Sequence, residues 1–173
     1  MRSTTEDRAI ASQPSIHHRA PLYSPAERAR RDASPWTLVQ GLLAPFQFAV
    51  FAVSLVLVLR YLATGEGYAA ATASIVAKTA VLLTIMVTGS IWEKAVFGRW
   101  LLAPAFFWED VVSFGVIALH LGYLAALVAG AAPGVQMAWA LAAYAAYVVN
   151  AAQFVRKLRM ARLDARPGEG ASA

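Results

Sequence analysis

Four long apolar stretches limit what this chain can fold into more than any motif does. Crossing the hydrocarbon core of a bilayer, about 30 Å thick, takes about 20 helical residues, and each stretch is long enough. We predict membrane-spanning helices near residues 36–62, 72–97, 104–129 and 135–155. With 59% hydrophobic and 14% charged residues among 173, the chain is too apolar for an ordinary soluble domain.

The connections between the predicted spans are short and contain turn residues, as in ATGEGYAAA after the first span and GAAPG before the fourth. Short connections place consecutive helices side by side and in opposite directions. We therefore expect an all-α integral membrane protein with four transmembrane helices in an antiparallel bundle. Pro104 suits the start of the third helix, because proline is favoured in a first helical turn. The expected domain covers residues 36–155, between a polar, disordered tail (1–35) and a basic tail (156–173).

Basic residues are concentrated in the two tails and in the turn at 93–103, which holds Lys94 and Arg99. Cytoplasmic flanks of membrane spans carry an excess of Lys and Arg, so both termini are expected on the cytoplasmic side. The positive charge therefore indicates membrane orientation rather than nucleic-acid binding, despite a net charge of +5. Lys78, towards the other end of the second span, is expected to extend its ammonium to the membrane surface.

Several kinds of site are excluded or disfavoured by composition. The chain has no cysteine, which rules out disulfides, thiolate metal sites and cysteine nucleophiles. His17 and His18 lie in the polar N-terminal tail, where a solvated pair is expected more than a metal site. The sequence also has no nucleotide-binding loop and no metal-ligand cluster.

Carboxylates lie at the predicted cytoplasmic ends of two neighbouring spans. Glu109 and Asp110 come about one turn into the third span, and Glu93 and Lys94 lie near the end of the second. A short turn between antiparallel helices would bring these four groups to a similar depth. Two interpretations stay open: an ion-pair cluster that fixes the hairpin, or a half-buried carboxyl that desolvation and a like-charged neighbour keep protonated. The second interpretation supplies a proton donor.

His120 follows Glu109 by eleven positions, about 20° beyond three full turns at about 100° per residue. The two residues therefore share a helix face with Ser113 and Val116. A rise of about 1.5 Å per residue places His120 about 16 Å deeper, too far for a proton dyad. His120 is either a hydrogen-bonded interior histidine or an axial ligand to the metal of a tetrapyrrole.

Other polar and aromatic residues of the spans allow a structural and a binding interpretation. Gln40, Gln47 and Ser54 form a stripe with a spacing of seven, of the kind that holds membrane helices together. Asn150 lies at the predicted depth of the acids and either orients a ligand or water or bridges two helices. The aromatic residues near the second turn either anchor it at the membrane surface or contact a flat ligand. They are Trp92, Phe97, Trp100, Phe106, Phe107 and Trp108.

Three strings, SPWTLVQG, WEK and APAFFWED, resemble the 3-vinyl (bacterio)chlorophyllide hydratase family of photosynthetic bacteria, and the similarity runs over about residues 22–155. The resemblance implies addition of water across the C3 vinyl group of a chlorophyllide in bacteriochlorophyll synthesis. It implies no redox cofactor and a bacterial inner membrane, either cytoplasmic or intracytoplasmic. The implied partners are the chlorophyllide or bacteriochlorophyllide substrate, the lipid bilayer, and a second copy of the chain or other pigment-synthesis enzymes, with no nucleic acid.

Under that resemblance, the acids acquire expected roles. We expect Glu109 to be the general acid that protonates the vinyl group, with Asp110 or Glu93 as the base or the stabiliser of the cation. These assignments can be exchanged among the three carboxylates, because environment decides which one holds the proton.

The expected substrate contacts lie around and below the acids. Lys94 or Arg99 would pair with the pigment propionate, and His120 would approach the central magnesium. The remaining expected contacts are Trp92, Trp108, Phe107, Gln47 and Asn150.

A competing interpretation is a non-catalytic tetrapyrrole carrier or assembly protein of the photosynthetic membrane. The acidic cluster separates the two, because a carrier does not need it. A small transporter is disfavoured, since charge within the spans is confined largely to one end.

Overall fold

The computed structural model describes residues 22–164, so His17, His18 and the rest of the two chain ends lie outside the described residues. Four of the five helices are long and apolar enough to cross a membrane. The predicted all-α architecture and the predicted number of spans are thereby confirmed. The helices are α1 (Pro25–Ala33), α2 (Pro35–Thr64), α3 (Tyr68–Phe97), α4 (Phe107–Val128) and α5 (Pro133–Asp164).

Proline and glycine set several of the helix ends. Pro35 occupies the first turn of α2, where its missing N–H would have no partner within the helix. Gly65 and Gly98 follow α2 and α3 with φ of 75° and 77°. This left-handed conformation costs glycine least, and each N–H caps the preceding helical turn.

Helix α2 packs mainly along α3, and polar side chains join the two. Gln40 Nε2 donates to Thr88 Oγ1 over 2.8 Å, and the hydroxyls of Ser54 and Ser74 lie 2.7 Å apart. Residue numbers therefore rise along α2 as they fall along the facing side of α3. The polar stripe of α2 bonds α3, as expected for residues that hold helices together, and Gln47 in the same stripe is buried.

Helices α4 and α5 form a second pair, in which residue numbers again rise along one helix as they fall along the other. Asn150 Nδ2 donates to Ser113 Oγ over 3.1 Å, and Gly122 lies against the indole of Trp139. The predicted buried face of α4 is found, because Glu109, Ser113 and the positions below them are buried.

The two helix pairs meet in an aromatic core. Phe51 of α2 packs on Tyr144 and Tyr147 of α5, with ring centroids 5.3 and 4.7 Å away. The hydroxyl of Tyr144 also forms a short hydrogen bond with that of Ser54. Apolar packing thus joins the pairs, and a buried polar group within it is satisfied across the interface.

Helix α4 begins at Phe107, so the prediction that Pro104 starts the third span is wrong. Residues 98–106 form a turn instead, which the Phe106 N–H closes by donating to the Ala103 carbonyl over 2.8 Å. Leu102 in this turn has a φ of 58°, which is rare for a residue with a side chain. The turn directs backbone N–H groups towards the acids, and a helix starting at Pro104 would not.

Helix α1 lies within the stretch predicted as a polar tail. The Ser24 hydroxyl accepts from the Glu27 N–H over 3.3 Å, while the Glu27 carboxylate accepts from the Ser24 N–H over 2.8 Å. These two bonds form a capping box, and the Ser24 N–H and hydroxyl, which both donate to the Glu27 carboxylate, hold the pKa of Glu27 below its usual value. Arg30 fixes the helix to α3 by donating from Nε to the Val96 carbonyl over 2.7 Å.

At the other end of the chain, α5 runs to Asp164, so the predicted boundary of the basic tail at residue 156 falls inside a helix. The first residues of the predicted tail are helical, and some of their side chains lie on the face of α5 that packs against α4. This extension brings a lysine to the acidic residues.

Candidate active site

Three carboxylates are buried together beside the 98–106 turn. Glu93, Glu109 and Asp110 are only 4%, 5% and 4% exposed. Glu93 comes from the last turns of α3, and the other two come from the first turn of α4. The structure thus brings the three acids named from the sequence into one cluster, which we call the acidic cluster.

Backbone amides of the turn bind two members of the acidic cluster. Asp110 Oδ2 accepts from the Leu102 N–H over 2.8 Å, and Glu93 Oε2 accepts from the Ala103 N–H over 3.1 Å. The left-handed conformation of Leu102 costs on the order of 1–3 kcal/mol and persists only where surrounding contacts hold it. These bonds to two buried carboxyls are such contacts.

Glu93 and Asp110 accept from consecutive amides of the turn, which places the two buried carboxyls next to each other. Two ionised carboxylates can only accept, so a hydrogen bond between two carboxyls requires a proton on one of them. Ionising both in a buried site would also place like charges in contact. The pair is therefore suited to hold one proton between two oxygens.

Glu109 has a different partner. Lys157 Nζ lies 2.8 Å from Glu109 Oε2, and the two side chains are 19% and 7% exposed. The same ammonium stands 5.4 Å from the Phe106 ring centroid. Glu109 is thus ion-paired with a lysine, in contrast to the carboxyl pair next to it.

Lys157 was missed by the sequence analysis because it was assigned to the basic tail. It follows Asn150 by seven positions, two helical turns along the same face, and that spacing could have identified it. The expected cation, Lys94, is exposed and donates to the Gly98 carbonyl over 2.9 Å, at the end of its own helix. Arg99 is exposed in the turn. Lys94 therefore bonds its own backbone instead of a carboxylate, because its side chain leaves α3 on the outer face.

Asn150 bridges α4 and α5 beside the acidic cluster. Its Nδ2 donates to the Glu109 carbonyl over 3.1 Å as well as to Ser113 Oγ. Both contacts orient the first turns of α4, which carry two of the acids.

Aromatic rings cover the acidic cluster on the side of α1. Tyr23 stacks on Phe97 with centroids 5.8 Å apart, and Trp92 meets Phe106 edge to face at 5.5 Å. Burial in this layer raises the pKa of the Tyr23 phenol. The expected contacts Phe107 and Trp108 are 41% and 69% exposed and face away from the layer.

A second group of buried polar atoms lies deeper in the bundle. His120 is fully buried, and its Nδ1 lies 2.8 Å from the Val116 carbonyl. A carbonyl only accepts, so Nδ1 carries the hydrogen, and in the neutral ring Nε2 holds the lone pair. Within residues 22–164, Nε2 has no hydrogen-bond partner.

Lys78 is also fully buried, so the expectation that it reaches the membrane surface is wrong. Its Nζ lies 3.7 Å from the ring centroid of Tyr147. The side chain leaves α3 on its inner face, and the surrounding helices close over it. No polar atom among the described residues accepts a hydrogen bond from this ammonium.

Comparison with known proteins identifies the family of this chain. A family model described as 2-vinyl bacteriochlorophyllide hydratase matches residues 23–160. A protein of Cereibacter sphaeroides with that name is 70% identical over 88% of this chain and 95% of its own length. A Rhodobacter capsulatus protein with the same name is 66% identical over 90% of this chain and 91% of its own length. No solved structure matches. The chain belongs to the 2-vinyl bacteriochlorophyllide hydratase family.

Proposed function

We propose that this chain adds water to the vinyl group of a bacteriochlorophyllide, the activity named for its relatives. The position that those names number 2 is C3 in the systematic numbering of tetrapyrroles. The observation that carries the proposal is the acidic cluster, in which a carboxyl pair suited to hold a proton lies beside a carboxylate paired with lysine. A hydration needs both a proton donor and a proton acceptor, and this cluster contains both.

The reaction divides into two proton movements. A carboxyl gives its proton to the terminal vinyl carbon as the vinyl π bond breaks, which leaves a cation at the inner carbon, conjugated with the ring. The oxygen of a water molecule then bonds to the inner carbon, and a carboxylate takes the proton that this water releases. The oxygen and one hydrogen of the water end in the hydroxyethyl product. The other hydrogen goes to the accepting carboxylate and must pass back to the carboxyl that gave the first proton before the next turnover, so no oxidant or reductant takes part.

We assign the first proton to the Glu93 and Asp110 pair. The second step needs a carboxylate that accepts a proton, and the ion pair with Lys157 supports that role for Glu109. The assignment exchanges the roles expected from the sequence, where Glu109 was the acid. Glu109 would also stabilise the positive charge on the inner carbon.

We further propose an antiparallel bundle in a bacterial inner membrane, with both termini and the acidic cluster on the cytoplasmic side. The order of contacts in both helix pairs supports the antiparallel arrangement. The basic residues of α1, the 98–106 turn and the end of α5 support the orientation.

The magnesium of the pigment would be held by His120, whose Nε2 offers an unshared lone pair in the bundle interior. Phe107 and Trp108 present an exposed aromatic surface at the start of α4, where a flat amphiphilic pigment could enter from the membrane.

The experiment is a hydration assay on purified protein in proteoliposomes, with the hydroxyethyl product measured by chromatography. Glu93→Gln, Asp110→Asn and Glu109→Gln are each expected to lower kcat by about 10²-fold to 10⁴-fold, because each removes a proton-transfer group. The matched control is Glu66→Gln, an exposed glutamate in the turn between α2 and α3, which should leave kcat unchanged.

Two outcomes would contradict the proposal. Undiminished turnover in all three acid variants would remove the acidic cluster from the mechanism. A wild-type protein that changes the pigment spectrum without converting the pigment would instead be a carrier.

A further inference from the structure

The ammonium of Lys78 lies in the bundle interior without a counter-charge. The side chain is fully buried, and its nearest aromatic ring is that of Tyr147. The ion pairs found within residues 22–164 join Arg31 to Asp32 and Lys157 to Glu109, and neither involves Lys78. A charged side chain inside a membrane protein is expensive and marks a functional site by default.

The aromatic contact satisfies Lys78 only in part. A ring face attracts a cation, yet it accepts no full hydrogen bond, and an ammonium has three donors to satisfy. A buried ammonium is stabilised best by an anion that also accepts hydrogen bonds. The surroundings of Lys78 therefore lack one component, an anionic acceptor.

A second unsatisfied atom lies near Lys78. His120 Nε2 has no partner among the described residues, and Lys78 and His120 pack on tyrosines one helical turn apart on α5, Tyr147 and Tyr144. The ring of Tyr144 packs beside that histidine at 6.0 Å, and its hydroxyl is already bonded to Ser54. Lys78 and His120 thus share a buried region in which the Tyr144 hydroxyl is already bonded.

Within residues 22–164, no carboxylate forms an ion pair with Lys78. Glu109, on the same face of α4 as His120, is about 16 Å away along the helix axis and is paired with Lys157. The anion must then come from a bound molecule that reaches from the acidic cluster to Lys78.

We propose that Lys78 binds the propionate carboxylate of the tetrapyrrole substrate and so sets the position of the ring in the bundle. This inference rests on the proposed hydratase function. A bacteriochlorophyllide is the form of the pigment whose propionate is not esterified, so it carries the anion that Lys78 lacks. Lys78 is a positioning residue, since the propionate takes no part in the hydration.

The length of the pigment fits this placement. From the vinyl carbon across the ring to the propionate carboxyl is on the order of 10–15 Å, given C–C bonds of about 1.5 Å. Lys78 and Glu93 are 15 positions apart on α3, about 22 Å along the axis at about 1.5 Å per residue, and the long side chains at each end shorten that gap. A pigment with its carboxylate at Lys78 would therefore present its vinyl group to the acidic cluster.

The test compares two substrates that differ only at the propionate: the free acid and its methyl ester. The wild type is expected to show a KM about 10-fold to 100-fold lower for the acid, the size of one charge-assisted hydrogen bond, with similar kcat values. Lys78→Met should raise the KM for the acid to that for the ester. Lys78→Arg should restore part of the preference. Arg60→Met, which removes an exposed cation at the end of α2, should keep the full preference.

The inference is overturned if the wild type hydrates acid and ester with equal KM, or if Lys78→Met prefers the acid as strongly as the wild type does. Equal KM values with normal turnover would leave the hydratase function intact. Failure of the wild type to hydrate either pigment would instead overturn the proposed function.

Two further measurements cover the remaining cases. If Lys78→Met does not fold, the inference is still tested by two measurements: the preference of the wild type for the acid over the ester, and the intermediate preference of Lys78→Arg. Competition with oleate distinguishes the source of the carboxylate. Oleate that displaces neither pigment supports the propionate, whereas oleate that blocks the acid and the ester equally indicates a fatty-acid site and contradicts the inference.

Discussion

Single polar partners hold the buried acids of this bundle. Asp110 depends on the Leu102 N–H, Glu93 on the Ala103 N–H, and Glu109 on Lys157. Removing one partner leaves a buried acceptor unsatisfied, which costs about 1–3 kcal/mol, more for charged groups. The acidic cluster is therefore sensitive to changes in the residues around it as well as in the acids.

Gly122 gives a residue-level prediction for the packing of α4 on α5. A Cβ at this position would lie 2.6 Å from the Trp139 ring. Gly122→Ala should therefore destabilise the protein by about 1–3 kcal/mol through overpacking, seen as a lower thermal midpoint in detergent by circular dichroism.

The matched control is Gly115→Ala in the same helix, where an added Cβ meets nothing within 4 Å. This variant should be as stable as the wild type or slightly more stable, since alanine favours helix more than glycine. Equal midpoints for both variants would mean that the Trp139 indole moves aside without cost.

For the secondary-structure elements, hydropathy located all four spans but not all of their ends. The apolar pattern of α4 begins before Pro104, yet bonds from the turn to Asp110 and Glu93 delay the helix to Phe107. Such bonds join distant parts of the chain, so a local pattern does not reveal them. The ion pair of Lys157 with Glu109 was missed for a related reason. The many basic residues after residue 155 made the segment resemble a tail, although it is the end of α5.

Helix α1 gives an element-level prediction with a defined pH dependence. The pKa of Glu27 lies below its ordinary value of 4.5, so its capping bonds contribute fully above about pH 4.5 and are lost as the pH falls through the lowered pKa. Protection of α1 amides from hydrogen exchange, corrected for intrinsic rates, should therefore fall on acidification.

Ser24→Ala serves as the comparison, since it removes the hydroxyl of the capping box at every pH. It should weaken α1 by about 1 kcal/mol at pH 7 and show a smaller further loss on acidification. The Arg31 and Asp32 ion pair is retained in this variant and is therefore common to both proteins. Identical pH profiles would contradict a role of Glu27 in holding α1.

At the scale of the whole molecule, the acidic cluster forms only when both helix pairs have docked. Glu93 comes from the α2 and α3 pair, whereas Glu109, Asp110 and Lys157 come from the α4 and α5 pair. Predicting that the acids would meet required only the depth of each span. Predicting which cation would join them, and that Lys78 would point inward, required the packing of three helices around each side chain.

The orientation of the whole molecule can be tested with single cysteines, because the chain has none of its own. Glu66→Cys and Trp100→Cys place exposed thiols in the first and second turns. A membrane-impermeant maleimide added to spheroplasts should label Glu66→Cys, and Trp100→Cys should react only after lysis. Labelling of both from the same side would contradict the proposed topology.

The 98–106 turn has a consequence for how sequences of this family can vary in length. Its amides at Leu102 and Ala103 must stay in register with Asp110 on one side and Glu93 on the other. One inserted or deleted residue would move both amides off their carboxyls. Relatives should accordingly tolerate insertions in the exposed turn around Glu66 and keep an invariant number of residues between Glu93 and Asp110.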